Sequence, residues 1–358
     1  MALASAFLLG AANGQAPPGL DQGWSPQDQA GWYDASQGSR LLPLSWFKAL
    51  EQPNPSGARF LDDTYISRFR YPMRTTSQGE RLPLGFAIDR SDPSDLSWTA
   101  FKWRAQQAAN EPWLGLNCSA CHSAEIIYRQ NTLRIDGGPA LTDFQSLIEN
   151  LDLALKETRD DPAKFGRFAD SVLGAGATPP DRALLATALD TLIGRRQKLA
   201  AMNATATRYG FGRLDAFGHI FNQVSSAAGG AAATANPPDA PVSYPFLWNV
   251  PQLARVQWNG ISQNMAIPSP IGDPFDAGAL ARNVGEVTGV FADFEVTADA
   301  GLGGYRSSVN VANLAAFEQL LRHLRPPKWP DALFGTPVAA LVARGSDLFA
   351  GHCRSCHE

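Results

Sequence analysis

All four cysteines of this 358-residue chain fall in two copies of one pattern, Cys118-Ser119-Ala120-Cys121-His122 and Cys353-Arg354-Ser355-Cys356-His357. The pattern Cys-x-x-Cys-His is the attachment site of c-type haem. On a helical turn, positions i, i+3 and i+4 share a face, so both thiols and the imidazole of each copy can meet one porphyrin. The thiols add to the porphyrin vinyl groups and the histidine binds the iron. A bare Cys-x-x-Cys also suits a zinc site or a redox dithiol. Neither needs a histidine directly after the second cysteine, and both copies carry one although the chain has only five histidines. The expected cofactors are therefore two covalently attached c-type haems, held by Cys118, Cys121, Cys353 and Cys356, with His122 and His357 on the irons.

Haem of this type is attached outside the bacterial cytoplasm, which implies a periplasmic or secreted protein. Ala2–Ala12 is apolar and Gly14-Gln15-Ala16 ends in a small residue, so residues 1–16 read as a signal peptide. Its positive leader is missing, since no Lys or Arg precedes Arg40. No apolar run is long enough to span a bilayer. The net charge of −4 and the lack of a basic run exclude a nucleic-acid surface. With 32 Gly, 26 Pro and 18% charged residues, long ordered loops are expected between elements.

Three stretches have helical periodicity. Leu141–Glu157 carries an apolar stripe behind a Thr142/Gln145 capping pattern, Asp181–Leu199 carries leucines on one face, and Asn310–Arg325 ends at Pro326-Pro327. Pro337–His352 forms a fourth helix that runs into the second motif. Residues 17–117 read as an irregular aromatic wrap, and Ser225–Pro241 as a low-complexity loop. No stretch argues for a large sheet. The expected fold is mainly α, with cytochrome c-like haem domains and long irregular loops. Residues 17–335 would form the first haem domain. Residues 336–358 would begin a second, incomplete one, because only Glu358 follows its motif.

What lies across from each histidine decides what the iron does. The spare candidates are His219, His323 and His352, with Met73, Met202 and Met265. Tyr244–Asn264 is dense in aromatic and amide residues and suits a pocket wall.

Several stretches now carry a resemblance: Leu114-Gly115-Leu116-Asn117, Gly212-Arg213-Leu214-Asp215-Ala216, Tyr244-Pro245-Phe246-Leu247-Trp248, Arg282-Asn283-Val284-Gly285-Glu286-Val287, and Leu324-Arg325-Pro326-Pro327-Lys328-Trp329-Pro330. With the two motifs, they resemble the di-haem c-type cytochromes related to rubber oxygenases, within the wider di-haem cytochrome c peroxidase and MauG-like class. The resemblance implies two haems working as a pair. The haem on His122 would bind dioxygen beside aromatic residues, for which Phe246, Trp248 and Trp258 are the candidates. The haem on His357 would move electrons. An unsaturated lipid-like molecule would be the substrate, and a small redox donor or electron-carrier protein the partner. The alternatives are a di-haem peroxidase that reduces hydrogen peroxide and a non-enzymatic electron carrier.

Overall fold

The computed structural model describes residues 20–54, 57–93, 96, 98–229, 234–257, 259–268, 275–296 and 305–357. The expected signal peptide and Trp258 lie outside the described residues, as does Glu358.

At the centre of the core lies a strand too short to announce itself. Trp113–Leu116 is buried along its whole length and is the centre of a three-stranded antiparallel sheet. Leu114 pairs with Leu42 on one side and with Ile88 on the other. The chain leaves this strand directly into Asn117 and the first motif. It then enters the antiparallel hairpin Ser123–Tyr128/Asn131–Asp136. The first motif is thus anchored at both ends by strands rather than carried on a long helix.

This overturns the mainly α expectation. The chain is 44% helical with 14% strand, a mixed α/β arrangement with several small antiparallel sheets. The reason is local. Residues read as irregular wrap contain strands of two to four residues. A strand buried on both faces shows no period-2 alternation, and one this short offers no periodicity to detect.

The helices follow from periodicity with shifted ends. Phe144–Asp160 begins at Asp143, whose carboxylate accepts from Ser146 N, and not at Thr142. Thr142 is buried and its hydroxyl donates to Ala120 O at 3.3 Å. Pro179–Met202 starts from a Thr178/Asp181 capping box, and Val311–His323 is capped by Asn310. Among the longer helices, Pro26–Asp34, Pro162–Leu173, Ala216–Gly229 and Ala277–Gly289 have no counterpart in the sequence reading. The stretch read as a loop from Ser225 begins as the end of the Ala216–Gly229 helix. Asn222 on that helix holds the far side of the stretch by bonds to Asn236 O and N, at 2.8 and 2.9 Å.

Two hydrophobic cores result. The larger gathers Trp46, Phe47, Phe86, Leu114, Phe144 and Leu189 with their neighbours. The smaller gathers Trp32, Val287, Leu314, Phe317 and Leu324. Cys121 packs against the first and Cys118 against the second, so the first motif sits on the seam between them. The helix Ala339–His352 has no buried residue. Its segment is tied back by Phe334, whose ring lies 4.7 Å from Tyr128 on the hairpin and 5.0 Å from Trp329. Among the described residues, no helix is long and apolar enough to cross a membrane.

Candidate functional site

The first motif is one 3-10 turn, Cys118–Ala120, capped by Asn117. Cys121 N and His122 N both donate to Cys118 O, at 3.3 and 3.0 Å. The second motif makes the same turn, with Cys356 N and His357 N on Cys353 O at 3.1 and 3.0 Å. The backbone turn therefore has the same shape in both copies. Their surroundings differ. Cys118 and Cys121 are half-buried and His122 is partly enclosed, whereas Cys356 and His357 are exposed and Cys353 is half-buried.

All four thiols are free. Burial pushes Cys118 up to about 12, with the Glu318 carboxylate adding to it. Burial also pushes Cys121 up to about 12. Both are therefore neutral thiols at neutral pH. Among the described residues, no three His, Cys, Asp or Glu side chains converge as a metal site.

His122 has a fixed tautomer. Its Nδ1 lies 2.9 Å from the carbonyl oxygen of Pro245. A carbonyl only accepts, so Nδ1 carries the proton and Nε2 keeps the lone pair. Burial lowers the imidazole to about 4, partly opposed by the Pro245 bond, so the ring is neutral at pH 7. A histidine that donates one ring N–H to a carbonyl is oriented and made more basic at the other nitrogen, the arrangement of a metal-ligating histidine. Two protonated thiols and a neutral, lone-pair imidazole on one turn are the donor set that covalent haem requires.

The segment Tyr244–Trp248 follows the motif closely. Tyr244 N donates to Gly212 O at 3.2 Å, and Leu247 N to Gly137 O at 2.9 Å, while Gly137 N donates to His122 O at 2.9 Å. The rings of Phe246 and Trp248 stack at 5.5 Å, and Trp248 Nε1 donates to Asp136 O at 2.9 Å. Both candidates are thus near the motif, on the Pro245 side that faces Nδ1. Phe246 is 56% exposed.

Two residues escaped the sequence reading. Arg282 and Glu286 lie four apart on the Ala277–Gly289 helix and so share a face. Glu286 acts electrostatically on both Cys118 and Cys121, and Arg282 on Cys118 and His122. Burial raises the Glu286 carboxyl, partly opposed by the facing Gln257 amide and by Arg282. Gln257 holds φ at +66°, a left-handed conformation uncommon for a non-glycine residue. Arg282 is occupied by Glu318 at 2.6 Å. The four-residue spacing was visible in a stretch already singled out; what it faced was not.

Of the spare ligand candidates, His323 and His352 are exposed, Met265 is 60% exposed, and Met73 packs against the larger core. Met202 ends the Pro179–Met202 helix and is half-buried. His219 is held by Tyr209, whose hydroxyl donates to Pro238 O at 3.0 Å and lies 3.1 Å from His219 Nε2. The single phenol proton goes to the carbonyl, so Nε2 is the donor to the phenol oxygen and is spoken for.

Burial lowers His219 to about 4, with Asp215 opposing. The unfolded chain therefore binds this proton first as pH falls. Stability is full above pH about 6.5 and is lost towards pH 4, by about 3 kcal/mol over the window. Urea unfolding at pH 7 and pH 4.5 is expected to show the loss, and His219→Gln to flatten it.

Over 364 aligned residues, covering 94% of this chain, the sequence is 35% identical to the uncharacterized protein y4iJ of Sinorhizobium fredii (strain NBRC 101917 / NGR234). The chain spans 57% of that protein's length. No family model matches the sequence, and no solved structure does.

Proposed function

We propose that this chain is a periplasmic or secreted di-haem c-type cytochrome oxidoreductase, with its reactive site at His122 and an electron-transfer site at His357. The observation that carries the reading is the Nδ1-to-Pro245 bond of His122, on the same turn as two free, protonated thiols. When bound there, haem supplies an iron that exchanges electrons and takes dioxygen or peroxide at an open position. Cys118 and Cys121 would hold the porphyrin, and His122 Nε2 would take the iron. The Pro245 carbonyl keeps the imidazole in place with the Nε2 lone pair free. The seam between the two cores encloses this motif, while the exposed second motif suits exchange of electrons with a carrier protein.

In the first reading, an unsaturated lipid-like substrate is attacked by dioxygen beside His122. The resemblance of the two motifs and their flanking stretches supports it, while Phe246 and Trp248 stand on the Pro245 side of His122 and so would not flank the dioxygen. One observation favours a second reading, reduction of hydrogen peroxide. That reaction consumes two electrons and two protons to form two waters, whereas insertion of both oxygen atoms of dioxygen consumes no net proton. Glu286, a carboxyl whose burial favours its protonated form beside the motif, is placed to carry such a proton.

The test is production of the chain in a periplasm equipped for haem attachment. Two haems per chain are expected by pyridine haemochrome, and one in the Cys118→Ser/Cys121→Ser variant. A wild-type chain without covalent haem overturns the proposal. Oxygen uptake with unsaturated lipids, against peroxide turnover with a reduced donor, then separates the two readings.

A further inference from the structure

Tyr33 is 8% exposed, and its hydroxyl donates to the Asp136 carboxylate, which is 1% exposed. The same carboxylate accepts from Gln29 Nε2 at 3.0 Å, and Ser123 Oγ stands 3.5 Å from its Oδ1. Ser123 Oγ in turn accepts from the Trp32 indole at 3.1 Å. Ser123 directly follows His122 in the chain. A short path thus runs from the His122 backbone through the Ser123 side chain and Asp136 to the Tyr33 phenol. A second connection fixes the other side. The Asn117 amide, one residue before Cys118, donates to Trp32 O and Tyr33 O at 3.1 Å each. Trp32 and Tyr33 belong to the smaller core, against which Cys118 packs.

The acceptor is what sets Tyr33 apart. Tyr65 donates to the Asn150 amide oxygen and Tyr209 to the Pro238 carbonyl, each at 3.0 Å. An amide oxygen accepts a hydrogen bond but does not take the proton, whereas a carboxylate can do both. Burial raises both the Tyr33 phenol and the Asp136 carboxyl. At rest the proton therefore stays on the phenol. A phenol that loses an electron becomes a strong acid, and a base already within hydrogen-bond reach then takes its proton. The guanidinium carbons of Arg134 and Arg74 lie 5.3 and 5.7 Å from the Tyr33 ring centre. Their charges make electron removal harder, so only a strong oxidant achieves it. Proton transfer to Asp136 leaves the oxidised ring uncharged beside them.

We propose that Tyr33 is a redox-active residue, supplying one electron to the first motif after hydrogen peroxide has withdrawn electrons there, with Asp136 taking the phenol proton. The proposal rests on the haem reading of that motif. In the step, the phenol O–H bond breaks, an O–H bond forms on Asp136, and one electron leaves the ring. Tyr33 ends as a neutral radical and Asp136 as a carboxylic acid. Hydrogen peroxide takes two electrons and two protons to become two waters. Tyr33 replaces one of those electrons, and the two protons come from solvent. One electron from a reduced donor, with the proton returned from Asp136, restores the phenol. Burial of both partners keeps water and stray reductants from the radical.

The experiment mixes the haem-loaded chain with hydrogen peroxide, freezes it rapidly and records the electron paramagnetic resonance spectrum. Pyridine haemochrome first establishes covalent haem; without it both the haem reading and this proposal fall. With haem present, a tyrosyl signal is expected that narrows when the tyrosines are ring-deuterated. Tyr33→Phe, which keeps the ring and loses the hydroxyl, is expected to abolish it. Asp136→Asn keeps the volume without the proton acceptor and is expected to cut the radical yield about tenfold or more. Tyr65→Phe is expected to leave the signal unchanged. With haem bound, the absence of a tyrosyl signal in the wild type overturns the proposal. So does a signal that persists in Tyr33→Phe or belongs to a tryptophan. Full radical yield in Asp136→Asn overturns the role of Asp136. Should that variant fail to accumulate, the wild type in heavy water carries the readout: slower radical formation is expected, and an unchanged rate overturns the proton transfer.

Discussion

Gly85→Ala should destabilise the protein by about 4 kcal/mol and displace the first motif. Gly85 holds φ at +86°, where an L side chain is strained. A Cβ there would overlap the Cα, Cβ and N of Ala120, inside the Cys-x-x-Cys turn. Backbone atoms cannot yield as a flexible side-chain end can. Gly85 O also accepts from Asn117 N at 2.8 Å, so the same residue holds the turn from below by a hydrogen bond. Relief of the overlap must lift Ala120 and with it Cys121. Chemical denaturation gives the loss of stability. Haem content by pyridine haemochrome, reduced at the first site only, gives the local consequence. An unchanged denaturation midpoint would show that the turn adapts without cost.

Asn117→Ala should cost nearly as much, also about 4 kcal/mol, by leaving several buried groups unpaired at about 1–3 kcal/mol each. Asn117 is 3% exposed. Its Nδ2 donates to the carbonyls of Trp32, Tyr33 and Ala35 at 3.0–3.1 Å, tying the end of the Pro26–Asp34 helix to the motif. Its Oδ1 accepts from Ser119 N at 3.1 Å and from Ser119 Oγ at 2.7 Å. Asn117→Asp is the sharper variant. It keeps the acceptor and the volume but turns the donor into an oxygen facing three carbonyls. Both variants should lower the urea midpoint. If Asn117→Asp unfolds like the wild type, the three-carbonyl clamp is not what holds the motif.

These two residues show how far the sequence could be read. Asn117 precedes the motif and was noticed only as part of a family-like stretch. Nothing local marks it as a clamp, because its carbonyl partners lie more than 80 positions earlier. The Phe144–Asp160 helix was legible because its apolar stripe recurs over four turns. The Trp113–Leu116 strand was not, because four residues buried on both faces carry no periodic signal. Phe246 and Trp248 were picked for their aromatic density, and their rings stack on each other. The sequence could not place them on the Nδ1 side of His122, since that depends on the Pro245 carbonyl.

The spacing within each Cys-x-x-Cys-His alone determined which atoms can share a face, and hence the proposed cofactor and its mode of attachment. Covalent chemistry within five residues is a local property and survives without knowledge of the fold. The unequal surroundings of the two copies, the tautomer of His122 and the environment of the Glu286 carboxyl were decided only by tertiary structure. Each is set by burial and by partners tens to more than a hundred residues away. Desolvation and the direction of a hydrogen bond exist only once those distant segments have packed together.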